Sequence, residues 1–188
     1  MKKIVIVGIF IFLVLFTAGC GSKKEVVNET KKENNTSLVL YFSATGTTKK
    51  IAERIASKSG SDIIEIIPKE KYTSKDLDYN GDCRANREQN NDKARPEIEN
   101  KIEIDKYQTI YLGYPIWWGT NPKIILTLLD TYDFSGKTII PFCTSGSSGI
   151  EESVKSLRKY NSKLNIKDGK RFAASDDDKV IEEFLNNN

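Results

Sequence analysis

The sequence predicts a doubly wound α/β domain, in which helices cover both faces of a parallel sheet. The first observation is that residues 38–42 are uniformly apolar, as is typical of a strand buried on both faces. The second is that apolar residues recur at helical spacing over residues 48–58, directly after that strand. The third is that strand and helix patterns keep alternating along the chain, whose 188 residues suit one such domain.

The remaining elements follow from the same two patterns. Strands are expected at short apolar runs, namely residues 62–66, 109–113 and 138–142, with a weaker strand at either 163–166 or 171–173. Helices are expected where apolar residues repeat at helical spacing, namely residues 122–131, 150–160 and 179–185. Asn121 and Pro122 would supply a cap and a first turn for the first of these helices. Pro141 cannot donate to a sheet ladder, so we expect it near the end of its strand.

The composition excludes several classes of function. The protein contains no histidine, which rules out Ser-His-Asp and Cys-His catalysis, imidazole metal ligands and histidine pH switches. The net charge of +3 comes from 29 basic and 26 acidic residues, and it is too small and dispersed for a nucleic-acid footprint. We therefore expect no nucleic-acid partner and predict no metal site.

The first 19 residues have the pattern of a secretory signal peptide. Lys2 and Lys3 precede an apolar run over residues 4–16, which is shorter than the roughly 20 residues of a spanning helix. The sequence F-T-A-G-C at residues 16–20 resembles the lipobox of bacterial lipoproteins, which implies cleavage and lipid attachment at Cys20. The alternative is an uncleaved short membrane anchor. Both place the protein at the extracytoplasmic face of the bacterial cell membrane.

Residues 20–37 show no sustained periodicity and are expected to form a flexible tether, so the folded domain should span residues 38–188. A disulfide between Cys83 and Cys143 is permitted outside the cytoplasm. Cys143 ends an apolar run, however, which favours a small buried hydrophobic residue. Neither cysteine lies in a CxxC motif, so neither is given a redox role.

Residues 68–100 interrupt the alternation with charged and amide residues, and a loop of this length is usually functional or mobile. Arg84, Arg87 and Arg95 could meet a phosphate or an acidic substrate there. We favour the alternative, in which the three arginines lie on a solvated charged face.

Ligands of doubly wound sheets bind beyond the carboxyl ends of the strands, so the loops that follow the strands are the candidate sites. The first such loop leads straight into a helix and comprises Ser43, Ala44, Thr45, Gly46, Thr47 and Thr48. Helix N-terminal amides and hydroxyl donors favour a phosphate, although an ordinary hydroxyl-rich turn is the alternative. The absence of GxxxxGK[ST] and of GxGxxG disfavours ATP hydrolysis and Rossmann dinucleotide binding.

Residues 38–56, L-V-L-Y-F-S-A-T-G-T-T-K-K-I-A-E-R-I-A, resemble the flavodoxin signature. Its S-x-T-G-x-T phosphate loop is matched by Ser43, Thr45, Gly46 and Thr48. The resemblance implies a flavodoxin-like, three-layer fold with a five-stranded parallel sheet in the order 2-1-3-4-5. It also implies that FMN is the cofactor and that this loop binds the FMN phosphate.

Two further loops are expected at the same sheet edge, and they resemble the G-Y-P-I-W-W-G and F-C-T-S-G-S-S-G loops of one flavodoxin-like branch. The second loop contributes five candidate cofactor-binding residues, Pro115, Ile116, Trp117, Trp118 and Gly119. One of its two indoles should face the flavin, and Gly119 permits a positive φ. The third loop contributes Thr144, Ser145, Gly146 and Gly149, which would offer N–H groups to the pyrimidine edge.

Three functions remain open from the sequence. The first is an FMN-binding electron carrier that serves a redox partner protein or a small acceptor. The second is an FMN-dependent NAD(P)H or quinone oxidoreductase, for which residues 68–100 would shape a substrate cover. The third is a non-redox module that holds another phosphorylated ligand or none. In the first, the flavin carries the chemistry and no side chain is catalytic.

Overall fold

The structure is a computed structural model that describes residues 36–188. The expected signal peptide and Cys20, the expected lipid-attachment residue, lie outside this range, as does most of the expected tether. Within residues 36–188, no helix combines the length and the apolar character needed to cross a bilayer.

The described part of the chain alternates strands and helices as expected. The strands are β1 (Ser37–Tyr41), β2 (Asp62–Glu65), β3 (Thr109–Pro115), β4 (Thr138–Thr144), β5 (Asn165–Ile166) and β6 (Lys170–Phe172). The helices are α1 (Thr47–Ser59), α2 (Arg84–Gln89), α3 (Lys123–Thr131), α4 (Glu151–Tyr160) and α5 (Asp178–Asn186). The strands pair in parallel in the order β2-β1-β3-β4-β5, so the expected doubly wound topology is confirmed.

The position beyond β4 is shared by two short strands. β5 pairs with Thr138 and Ile139, whereas β6 pairs with the last three residues of β4, so both alternative sequence segments form a strand. Pro141 lies in the middle of β4, and the expectation that it ends the strand is wrong. It is tolerated because it falls opposite the break between β5 and β6, where a missing donor costs no ladder bond. Gly169 lies in this break, where a side chain would not fit, because a Cβ there would lie 2.6 Å from the Pro141 carbonyl oxygen.

Alternate residues of β1 enter two separate cores, which places helices on both faces of the sheet. Leu38 and Leu40 belong to the larger core, to which α3 and α4 contribute their apolar faces. Val39 and Tyr41 belong to the smaller core beneath α1 and α5. The three layers hold the carboxyl ends of β1, β3 and β4 side by side, and the candidate loops leave the sheet there.

The start of α3 differs from the sequence expectation. Pro122 occupies the N-cap position and makes no side-chain cap hydrogen bond of its own. The Asn121 side chain is buried and donates from Nδ2 to the Pro122 carbonyl oxygen instead of to the first helical turn. Gln89 from α2 takes over the contact with the helix, because its Oε1 accepts from the Lys123 amide at 3.2 Å.

The segment 68–100 is folded rather than an open loop. A 3₁₀ turn at Lys75–Leu77 and α2 pack over the larger core, into which Cys83 and Ala85 are buried. The Arg84 guanidinium lies over the Tyr72 ring, 4.2 Å from its centroid, and pairs with Glu88 at 2.7 Å. With its side chain only 15% exposed, Arg84 does not lie on the solvated face that we expected. Its apolar stem and its partner explain the burial.

Candidate functional site

The first loop turns sharply into α1 and leaves the first backbone amides of that helix available to a ligand. Gly46 has φ 86°, a left-handed conformation that glycine adopts at little cost, and it occupies the N-cap position of α1. Ser43 Oγ accepts from the Gly46 amide at 3.1 Å, which closes the turn. The first turn of α1 contains no acidic residue, and helix geometry leaves its first amides without intrahelical partners. The loop therefore presents the positive end of a helix dipole to an anion.

Buried hydroxyls join the first loop to the third. Thr48 Oγ1 and Thr144 Oγ1 lie 2.8 Å apart, and both side chains are almost fully buried. The Thr48 hydroxyl is thus engaged with Thr144, so the direct contribution left to Thr48 in anion binding is its amide. This hydrogen bond fixes the separation between the helix start and the end of β4.

The second loop is anchored to the third and closes in a tight turn. The Ile116 amide donates to the Thr144 carbonyl oxygen at 3.0 Å. Trp117 and Thr120 exchange backbone hydrogen bonds of 2.9 and 3.0 Å around Trp118 and Gly119, which have φ 47° and 79°. Positive φ at both central residues defines a type I′ turn, and Gly119 adopts the positive φ that a glycine permits. A tryptophan in this region is uncommon, so the turn holds the indole in an unusual backbone setting.

The two tryptophans lie in different environments. Trp117 is 4% exposed and packs edge-on against Phe42 and Tyr72, with ring centroids 5.6 and 5.0 Å away. Trp118 is 39% exposed, and its ring lies 4.6 Å from that of Tyr79. Trp118 is therefore the exposed indole, whereas Trp117 belongs to the larger core.

A cavity of about 660 Å³ opens where the three loops meet, which is within the range of small-molecule sites. Eight of the predicted site residues line it, namely Thr45, Thr47, Pro115, Ile116, Trp117, Thr144, Ser145 and Gly146. The other seven do not line it, namely Ser43, Ala44, Gly46, Thr48, Trp118, Gly119 and Gly149. Gly149 is covered by its neighbour Glu151, because a Cβ there would lie 2.0 Å from a carboxylate oxygen.

The sequence interpretation missed the other residues that line the cavity, namely Leu77, Tyr79, Arg171, Phe172, Ala173, Ala174 and Ser175. Tyr79 and Leu77 come from residues 68–100, which we expected to be a functional or mobile loop, without choosing any site residue from these two positions. A tyrosine within the polar stretch D-Y-N-G-D was the available signal, because an aromatic residue there has no periodic apolar neighbours. Arg171 and Phe172 lie in β6, a three-residue strand that the sequence offered only as one of two alternatives, so the loop after it was not considered.

Burial suppresses the reactivity of the cysteine at the end of β4. Both described cysteines, Cys83 and Cys143, are free and buried, so the burial expected for Cys143 is confirmed. Burial raises the pKa of the Cys143 thiol from 9.0 to about 12, with Arg171 lowering it in part and Glu151 raising it further. Because the thiolate is the reactive form, Cys143 should remain an unreactive thiol at neutral pH.

We expect iodoacetamide at pH 8.5 to modify Cys143 in the folded protein more than about tenfold slower than after unfolding in urea. The direction of the pH effect follows from the pKa. Because folding raises the pKa of the Cys143 thiol, a rising pH ionises this thiol in the unfolded chain before it does so in the folded chain. The thiol therefore contributes stability below about pH 9 that is lost as the pH approaches 12. Peptide mass spectrometry measures the rate for Cys143 separately. Equal modification rates in the folded and unfolded chains would contradict the assignment of Cys143 as a buried, unreactive thiol.

A parallel sheet in this order, with a phosphate-type loop at the first helix and two further loops at the same edge, defines a mononucleotide-binding α/β protein. The chain belongs to the flavodoxin family, since the family model described as flavodoxin matches residues 36–188. The resemblance drawn from the sequence is thereby confirmed.

Solved structures agree with this family. A protein from Bacteroides eggerthii assigned as a flavoprotein is 42% identical, with a TM-score of 0.77 over 80% of this chain and 96% of that chain. Its counterpart from Bacteroides uniformis is 38% identical, with a TM-score of 0.78 over 81% and 98%. A flavoprotein from Lactobacillus acidophilus, solved in complex with FMN, is 26% identical, with a TM-score of 0.63 over 80% and 99%. No curated protein shows significant similarity to the chain.

Proposed function

We propose that this chain is an FMN-binding electron-transfer protein, held by a lipid on Cys20 at the extracytoplasmic face of the bacterial cell membrane. The observation that carries the proposal is the acid-free, uncapped start of α1 beside a cavity of about 660 Å³. The family membership and the FMN complex of the Lactobacillus acidophilus relative support the choice of FMN.

The residues around the cavity fit both ends of this cofactor. The first-turn amides of α1 and the hydroxyls of Thr45 and Thr47 can donate to a phosphate. Tyr79 and Trp118 provide an aromatic pair for a flat ring. Main-chain groups of Ser145 and Gly146 lie on the wall from the third loop and can meet the polar ring edge. An apolar phosphate-free ligand would leave the donors at α1 without partners.

Bound FMN supplies reversible one- or two-electron transfer, and the chain supplies position and electrostatics. The backbone hydrogen bond from Ile116 to Thr144 and the hydroxyl pair of Thr48 and Thr144 keep the three loops at fixed separations. Such preorganisation limits the loss of entropy on binding. No side chain that lines the cavity within the described range is a carboxylate or a thiol, so we assign no acid or base role.

The first test is the visible spectrum of the full chain after incubation with FMN and removal of free cofactor. We expect one FMN per chain, with affinity for riboflavin at least tenfold weaker because riboflavin lacks the phosphate that α1 is built to bind. Colourless protein would overturn the proposal and favour the non-redox module. Equal affinity for riboflavin would contradict the role of the first loop.

Two further measurements separate the carrier from the oxidoreductase and test the anchor. A carrier exchanges electrons with protein donors, so we expect no steady-state oxidation of NADH or NADPH in the presence of a quinone. Turnover of either nucleotide would favour the oxidoreductase instead.

Mass measurement of the native N-terminal peptide should reveal a lipid-modified Cys20, and an unmodified chain that starts at Met1 would contradict the anchor.

A further inference from the structure

The wall of the cavity contains a single kind of charge. Among the described residues that line it, Arg171 is the one ionised side chain, and the others are apolar, hydroxyl-bearing or glycine. Arg171 lies in β6 directly beside Cys143 of β4, so the sheet carries its side chain to the carboxyl edge where the loops meet. Charge at this edge reaches the cavity through a partly buried environment, where screening is weaker than in bulk water.

Hydrogen bonds hold the Arg171 guanidinium against the third loop. Its Nε donates to Ser145 Oγ at 3.1 Å, and its Nη2 donates to the carbonyl oxygens of Ser145 and Gly146 at 3.3 and 3.1 Å. All three acceptors are neutral oxygen atoms, so these bonds fix the position of the cation without compensating its charge. Lys170, the preceding residue, does not line the cavity.

We infer that Arg171 raises the reduction potential of bound FMN by stabilising its reduced, anionic form, an inference that rests on the proposed function. Dithionite supplies two electrons and is oxidised to sulfite, and water supplies one proton. The flavin ring therefore gains one negative charge on reduction. A fixed cation on the wall of its site favours that charged product over the neutral oxidised ring. Arg171 thus discriminates between two redox forms of the same ligand.

The test compares the dissociation constants of oxidised and reduced FMN for the full chain and for Arg171→Gln. The oxidised form is titrated by flavin fluorescence, and the constant of the reduced form follows from the bound potential measured against a reference dye. We expect Arg171→Gln to weaken reduced FMN about tenfold more than oxidised FMN. A tenfold change in this ratio corresponds to about 30 mV for a two-electron couple.

Two control variants separate the charge from the geometry. Lys170→Gln removes the same charge one residue away, outside the cavity wall, and should leave the ratio of the two constants unchanged. Arg171→Lys keeps the charge but loses the planar fork, and it should keep the ratio within about threefold of the parent. If Arg171→Gln does not fold, Arg171→Lys still tests the inference. A tenfold change in the ratio of the two dissociation constants for Arg171→Lys would overturn it.

The outcomes also distinguish this inference from the function on which it rests. If Arg171→Gln weakens both redox forms equally, Arg171 acts only by holding the loop or by binding the phosphate, and the inference is overturned. The inference fails as well if Lys170→Gln changes the ratio as much as Arg171→Gln does. If the parent chain binds no FMN, the proposed function fails before any comparison of variants is made.

Discussion

Trp118→Ala should bind FMN about tenfold to a hundredfold more weakly than the parent, while Trp117→Ala should lose about 3–5 kcal/mol of stability. The difference follows from their surroundings. Trp118 is 39% exposed and packs at a tilt against Tyr79, which lines the cavity, whereas Trp117 is 4% exposed between Phe42 and Tyr72. Flavin fluorescence measures the affinity, and urea unfolding monitored by circular dichroism measures the stability.

Conservative variants supply the controls for this pair. Trp118→Phe keeps an aromatic face and should retain most of the affinity for FMN. Trp118→Ala should change the free energy of unfolding by no more than about 0.5 kcal/mol, since an exposed side chain creates no cavity. Undiminished FMN binding by Trp118→Ala would show that the exposed indole does not help to hold the ring.

Gly113→Ala should be strongly destabilising. A Cβ at Gly113 would lie 2.2 Å from Cζ of Phe142, its register partner on β4. Phe142 is fully buried in the smaller core against Phe172, so its ring has no free space into which to move. Overpacking of this kind costs about 1–3 kcal/mol or more. The midpoint of urea unfolding should fall accordingly.

Two comparisons test whether the clash is the cause. Gly81→Ala adds the same methyl group in a loop where no atom lies within 4 Å, and its unfolding midpoint should stay near that of the parent. Phe142→Leu, combined with Gly113→Ala, should cost less than the sum of the two single changes, because a smaller side chain relieves the contact. Additive effects would mean that the ring is not what the methyl group meets.

The larger elements could be predicted because their signals are local. The apolar run before Ser43 identifies β1, and the helical spacing of Ile51, Ala52 and Ile55 identifies α1, since each pattern depends only on which face of the element is buried. The cap of α3 and the position of Pro141 were predicted incorrectly for one reason. Both depend on a distant partner, Gln89 in the first case and the break between β5 and β6 in the second.

The residues of the candidate site also divide into those that could be predicted from the sequence and those that could not. Residues on the three loops that follow β1, β3 and β4 could be chosen from sequence, because parallel strands end at one edge. The choice between Trp117 and Trp118 could not, since adjacent indoles have equal local preferences and only packing buries one of them. Tyr79 reaches the cavity from a segment with too few apolar residues to show a period. The cofactor contacts of all these residues stay a prediction that the FMN titrations test.

The sequence by itself determined the alternation of strands and helices, the hydroxyl-rich loop at the start of α1 and the absence of any histidine chemistry. These follow from residue types and their short-range spacing, which do not depend on the rest of the fold. Only the tertiary structure decided which indole is exposed, which arginine enters the cavity wall and how a proline fits within β4. Those outcomes depend on contacts between residues far apart in the chain, where burial and hydrogen-bond partners are set by the packing of whole layers.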